Sequence, residues 1–277
     1  MPTLTHAGHR LAYTEHGSGP RVCVLLHGLL LSQRMHEPLA RALAERGNRV
    51  ITLDLLGHGR SDRPPDVWRY SMPQYAEQVV ALLDELEVDE AVIAGTSLGA
   101  NVALETAARA PERVRGLVAE MPVLDTALIA CVLAFGPLLV GLTLGEPAAR
   151  LLSRAARLVP EGLTGWLGDV ALDTVRQDPR PSGAVLQGLV FGRIAPHRSV
   201  RRTLTAPTLV IGHRRDPVHP FSDAGMLAEE LPDARLLEAS TILELRLTPR
   251  RLTGEIAEFL DECWKPRRAR GRRERAS

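Results

Sequence analysis

Five short runs rich in Val, Ile and Leu recur along the chain, each bounded by turn-forming residues: RVCVLL (21–26), RVITLDL (49–55), EAVIAG (90–95), RGLVAE (115–120) and PTLVIG (207–212). Apolar runs of this length without polar alternation read as strands buried on both faces of a largely parallel sheet. Between them, segments 36–47, 72–87 and 98–110 place apolar residues at helical spacing, and Gly47 suits a helix end. Two later helical patterns, 220–231 and 249–264, flank a last strand, ARLLEA (234–239), while residues 4–17 have the pattern of a hairpin. Repeated strand–helix–strand alternation predicts an α/β fold, a doubly wound and mostly parallel sheet.

The alternation stops between about 122 and 205. Residues 126–145 form a twenty-residue stretch without a charge, long enough for a membrane helix. Two features argue against a span. Gly136-Pro137 should break its middle, and a single crossing would put PTLVIG on the other side of the bilayer from its sheet. The expectation is therefore an inserted helical cap with no transmembrane segment, continuing through AARLLSRAARLVP and LGDVALDTVRQD. The predicted organisation is a core at 1–121 and 206–264, a cap at 122–205 and a tail at 265–277. A cap this rich in Leu, Ala and Gly either packs on itself or faces an apolar substrate.

Charge is unevenly spread. The tail KPRRARGRRERAS holds seven basic residues and one acidic, which leaves 27 basic and 32 acidic in the rest, a net −5 under an overall +1. The body offers no basic stripe interleaved with aromatics, so no nucleic-acid partner is expected, and the tail reads as a disordered, solubilising end. Cys23, Cys131 and Cys263 are far apart, odd in number and without metal-ligand spacing. With no apolar stretch in MPTLTHAGHR to serve as a signal, the expectation is a reducing, cytoplasmic compartment.

GTSLG (95–99) stands between the run EAVIAG and the helical pattern LGANVALETAARA. A G-x-S-x-G in that context is a nucleophile elbow, whose glycines leave room for a turn sharp enough to lift the serine hydroxyl above the sheet edge. The helix amino terminus behind it favours developing negative charge. The spacing is not G-x-G-x-x-G, so the stretch is no dinucleotide fingerprint. His27-Gly28 follows the first buried strand, where a loop can lend an N–H to an oxyanion hole. The Leu29 and Leu98 amides are the expected pair.

Taken in order, His27-Gly28, the loop Gly57-His58-Gly59 with Ser61-Asp62, the elbow at Ser97 and an insertion after GLVAEMP resemble the α/β-hydrolase family over residues 10 to 262. The resemblance implies the α/β-hydrolase fold, Ser97 at the nucleophile position, a small-molecule substrate, and neither metal nor organic cofactor. It implies an acid on the loop after PTLVIG, where Asp216 fits, one residue further from Gly212 than the commonest pattern. Asp125 is the position some relatives use instead. His27 and His58 match structural or loop-shaping positions, and His36 one of packing. Serine at the elbow speaks against dehalogenase and epoxide-hydrolase chemistry, which the resemblance associates with an aspartate there.

The family's histidine would follow the last strand, seven residues before the proline that opens the final helix. Counting back from Pro249 gives Ile242, in ASTILELRLTP. A serine hydroxyl is a poor nucleophile without a base, and losing the base of a comparable triad costs about 10⁶ in turnover, roughly 8 kcal/mol. The leading relocated base is His219, three residues beyond Asp216 on the same loop; His213 shares that loop. Glu244 and Glu120 are carboxylate alternatives that would need a raised pKa. Equally, His219-Pro220 could simply start the following helix. The first expectation is a serine hydrolase of small or medium apolar esters, thioesters or lactones, with an acyl-enzyme at Ser97 and Asp216 orienting His219. The alternatives are a retired hydrolase scaffold that holds an apolar ligand, with Ile242 as its scar, and a non-hydrolytic enzyme that uses the same hole and carboxylates. Oligomeric state is not legible.

Overall fold

The computed structural model describes residues 2–124 and 127–266. Asp125, and the basic tail beyond Pro266, lie outside the described residues. The strands are β1 (Thr3–His6), β2 (His9–His16), β3 (Arg21–Leu26), β4 (Asn48–Leu53), β5 (Ala91–Thr96), β6 (Val114–Glu120), β7 (Thr208–Gly212) and β8 (Ala234–Glu238). They form one sheet in the order β1-β2-β4-β3-β5-β6-β7-β8. β1 and β2 make an antiparallel hairpin through Ala7 and Gly8, both with positive φ, the turn whose twist matches that of the strands. β2 joins β4 antiparallel, and every later pairing is parallel.

Strand residues alternate between two layers of core. Val22, Val24 and Leu26 of β3 point into the cluster that holds α2 (Met72–Glu85) and α3 (Leu98–Arg109), with Tyr75, Leu82, Val102 and Leu104 buried there. Cys23 and Leu25 point the other way, into a cluster with Leu39 and Leu43 of α1 (Glu37–Ala44) and Leu252, Ile256 and Leu260 of α11 (Arg250–Cys263). Both faces of the central strands are therefore covered, which explains their unbroken apolar runs. α9 (Phe221–Glu230) lies between β7 and β8, and the short α10 (Glu244–Leu247) precedes α11.

Between β6 and β7 the chain is helical: α4 (Leu128–Leu144), α5 (Glu146–Arg157), α6 (Gly165–Val175), α7 (Pro179–Val190) and α8 (Arg198–Arg201). One sequence expectation is corrected here. α4 runs unbroken through Pro137. Pro137 and Leu133, whose carbonyl loses its amide partner, are both exposed, so water can satisfy that carbonyl. Meanwhile Phe135, Leu139 and Leu142 pack against the core and hold the helix in line. The real break comes at Gly145, where α5 turns by 96° from α4, and no single helix among the described residues is long and apolar enough to cross a membrane.

The end of this helical segment is tied to the core by a buried ion pair. Arg201 and Glu230, 1% and 2% exposed, meet at 2.6 Å, and Arg201 also donates to the Pro196 carbonyl at 2.8 Å. Glu230 also meets the exposed Arg198 at 2.9 Å, so removing Arg201 leaves the buried carboxylate with one cationic partner instead of two, a loss of about 3 kcal/mol at the low end for broken buried pairs. Arg201→Met is accordingly expected to lower unfolding free energy by about that amount, seen as a reduced urea midpoint at unchanged slope. A loss below about 1 kcal/mol would instead mean that the pair behaves like a solvated one.

Candidate active site

The site begins with backbone geometry. Ser97, between β5 and α3, has φ +54° and ψ −112°, a conformation an L-residue adopts only under constraint, at about 1–3 kcal/mol. Its neighbours show why glycines flank it. A Cβ on Gly95 would overlap the Gly99 backbone, and one on Gly99 would overlap the Leu26 carbonyl of β3. The Ser97 amide donates to the Glu120 carbonyl of β6 at 2.8 Å, and its own carbonyl accepts from Asn101 at 3.1 Å. The turn is thus clamped between two strands and the first turn of α3.

Two strands away, the loop after β7 carries Asp216 and His219 to the same edge of the sheet. Asp216 Oδ1 accepts from the Val218 and His219 amides, each at 2.9 Å, and Oδ2 lies 2.9 Å from His219 Nδ1. His219 Nε2 lies 2.9 Å from Ser97 Oγ. Burial alone would raise the Asp216 pKa, but the hydrogen bonds from the His219 ring and from the two amides outweigh it and hold the carboxyl below its usual range. An ionised carboxylate only accepts, so Nδ1 carries the proton and Nε2 presents its lone pair to the serine hydroxyl. Such an arrangement can remove the hydroxyl proton as oxygen attacks a carbonyl.

The other candidates are engaged elsewhere. His213 is bonded at both ring nitrogens, to the Ser240 carbonyl at 3.1 Å and from the Arg215 amide at 3.2 Å. Glu244 is paired with Arg251 at 2.8 Å, and that guanidinium holds its carboxyl below the usual range, the reverse of what a base requires. Glu120 is buried and paired with Arg246 at 2.8 Å. Ile242 is 38% exposed in the turn before α10. His27 accepts from the Leu55 amide at 3.1 Å and donates to the Gly28 carbonyl at 2.8 Å, while His58 donates to the Leu56 carbonyl at 3.0 Å. His36 reaches the Leu26 carbonyl at 3.0 Å. These three rings hold loops together.

Arg246 is the residue that sequence reasoning missed. From α10 its guanidinium reaches under the elbow, bonding Thr96 Oγ1 at 2.9 Å and Glu120 Oε2 at 2.8 Å, while Thr96 also donates to Glu120. The segment expected to bring a base over the serine instead brings a cation beneath it. An arginine four residues beyond the expected position gave no signal of this.

Leu29 and Leu98 both line, with Ser97, a narrow cavity of about 70 Å³. The Leu98 amide is in the first turn of α3, where an N–H has no partner within the helix. Met72, Phe135, Leu186, Leu189 and Ile194 supply apolar walls, so α4 and α7 roof the serine. A larger polar cavity of about 470 Å³, walled by Arg34, Arg63, Asp173 and Arg176, contains none of Ser97, Asp216 or His219. The cavity that Ser97 lines is thus the smaller of the two.

The family model of the alpha/beta hydrolase fold matches residues 22–241, and the chain belongs to that family. An uncharacterized protein of Mycobacterium tuberculosis strain H37Rv is 30% identical over 285 aligned positions, spanning 94% of this chain and 82% of its own. A putative non-heme haloperoxidase of Mycobacterium phage D29 is 38% identical over 111 residues, which are 40% of this chain and 39% of that protein. The match therefore spans about two fifths of that relative. Among solved structures, the enol-lactonase of Burkholderia xenovorans LB400 superposes with a TM-score of 0.75 over 94% of this chain and 100% of its own, at 22% identity, and shares the fold.

The buried histidines make stability depend on pH. Burial lowers the His36 pKa to about 3, with Arg246 adding to the effect, and burial also lowers those of His27 and His58. Unfolded rings titrate near 6.5, so between about pH 6.5 and 3 the unfolded chain binds a proton that the folded His36 ring refuses, and the lowered His27 and His58 act in the same direction. Stability should fall as pH drops through this window, by up to about 1.4 kcal/mol per pH unit for each ring. Urea unfolding at pH 7, 6 and 5 is expected to show the fall, with a shallower dependence in His36→Gln. An unchanged dependence in that variant would mean that the folded His36 ring takes up its proton over the same pH range as the unfolded one.

Proposed function

We propose that the protein is a serine hydrolase of small or medium apolar esters, thioesters or lactones, with its general base displaced onto the loop of the acid. The observation that carries this reading is the continuous chain Ser97 Oγ–His219 Nε2 and His219 Nδ1–Asp216 Oδ2, each link 2.9 Å. Ser97 attacks the acyl carbonyl as its proton passes to Nε2, and Asp216 stabilises the imidazolium. The Leu29 and Leu98 amides receive the negative charge on the former carbonyl oxygen. His219 then protonates the leaving group, and water, activated by the same ring, releases the acid. In this scheme residues 122–205 act as a cap on a core formed by 1–121 and 206–264.

The substrate class follows from the walls. A cleft lined by Met72, Phe135, Leu186 and Leu189 favours an apolar acyl group and gives a charged one no partner. A base in hydrogen-bond reach of the serine speaks for turnover and against a retired scaffold that only binds. The free thiols of Cys23, Cys131 and Cys263 accord with the proposed cytoplasmic location.

Hydrolysis of p-nitrophenyl acetate and butyrate tests the assignment. His219→Ala is expected to lower kcat by about 10⁶ or to background, and Asp216→Asn by about 10⁴, with circular dichroism unchanged. Ile242→His should gain nothing. A His219→Ala protein retaining more than a tenth of the rate would sink the assignment of the base.

A further inference from the structure

α5 is turned inside out. Arg150, Arg154 and Arg157 occupy one side of it, and Leu151, Leu152 and Ala155 another. The residues that α5 buries are Ser153 and Ala156, whereas Leu151, Leu152 and, just past its end, Leu158 are 69%, 60% and 83% exposed. A helix that only lined this core would bury its leucines. The adjoining α4, bent 96° from α5, also leaves Leu133, Val140 and Leu144 exposed, Leu144 at 84%, and carries no charge along its length. Scattered exposed leucines need no explanation, but a run of them across two consecutive helices marks a contact surface.

We propose that the α4–α5 face seats this protein on an anionic lipid surface. Three observations favour lipid over a second copy. The segment 127–158 carries Arg150, Arg154 and Arg157 against Glu146, a net +2 beside the leucines, which is the pattern of a helix lying in a lipid–water interface. An isologous contact through the same face would set two such positive surfaces together. Finally, Val132 of α4 is itself exposed and also lines the Ser97 cavity, with Cys131 and Phe135 beside it, so one helix borders both the outer surface and the site. An apolar substrate dissolved in lipid would thus enter past α4; that consequence rests on the hydrolase reading, while the docking itself does not.

Flotation of the full-length protein with phosphatidylglycerol vesicles, and separately with phosphatidylcholine vesicles, tests the proposal. Wild type is expected to float with phosphatidylglycerol and much less with phosphatidylcholine. Leu151→Asp/Leu152→Asp, and independently Leu144→Asp, should reduce flotation about tenfold or more, since each leucine forfeits its apolar burial. The basic tail is present in every variant, so equal flotation of wild type and variants would assign binding to the tail and overturn the proposal. Absence of wild-type flotation would overturn it too, as would a wild-type dimer, measured by light scattering, that these substitutions dissociate. Turnover of soluble p-nitrophenyl acetate should be unchanged in the variants and reports the hydrolase reading separately. If no protein turns it over, that reading fails and flotation still decides this one.

Discussion

The arrangement of side chains around Ser97 depends on one strained turn. Ser97 holds a positive φ because β5 enters it and α3 leaves it with no room for side chains at Gly95 or Gly99, and because its amide is fixed to the Glu120 carbonyl of β6. Beneath the turn, Thr96, Glu120 and Arg246 form a buried polar cluster, with Arg246 bonding both partners. Charge-assisted hydrogen bonds of this kind keep a strained segment from relaxing. The serine hydroxyl projects from this turn to a 2.9 Å contact with His219.

In the proposed mechanism, that contact supplies the base from the loop after β7 rather than the one after β8. Parallel strands deliver their following loops to one edge, so β5, β6, β7 and β8 all end near the elbow. A histidine from the loop after β7 therefore reaches the same space as one from the loop after β8. The shift has a visible counterpart. Where a base is expected after β8, the chain forms α10 and places Arg246 under the elbow, and Glu244 is committed to Arg251. His219 is oriented by its own neighbour, since Asp216 binds both its ring and its amide.

How much of this was legible in the sequence follows from the range of the interactions. The central strands announce themselves because both faces are buried, so β3 and β5 carry apolar residues at nearly every position. The elbow is legible because its glycines answer a local steric need. Convergence is not local. Asp216 and His219 could be nominated from their place after β7, but their distances to a serine more than a hundred residues away could not be read from spacing. Arg246 was invisible for the same reason. Pro137 misled in the opposite direction, because its intrinsic cost was judged without the packing of Phe135, Leu139 and Leu142 that carries α4 through it. The outward leucines of α5 were equally hidden, since periodicity identifies an amphipathic helix without saying which way it faces.

The most direct measurement is labelling of purified protein with a fluorophosphonate, read by mass spectrometry, for wild type beside His219→Ala. Phosphonylation requires a serine whose proton is being taken. The account expects wild type to be modified at Ser97, and His219→Ala, still folded by circular dichroism, to react at least about a thousandfold more slowly, in keeping with loss of a general base. Labelling of Ser97 at an undiminished rate in His219→Ala would contradict it, and would mean that the 2.9 Å contact is not what activates the serine.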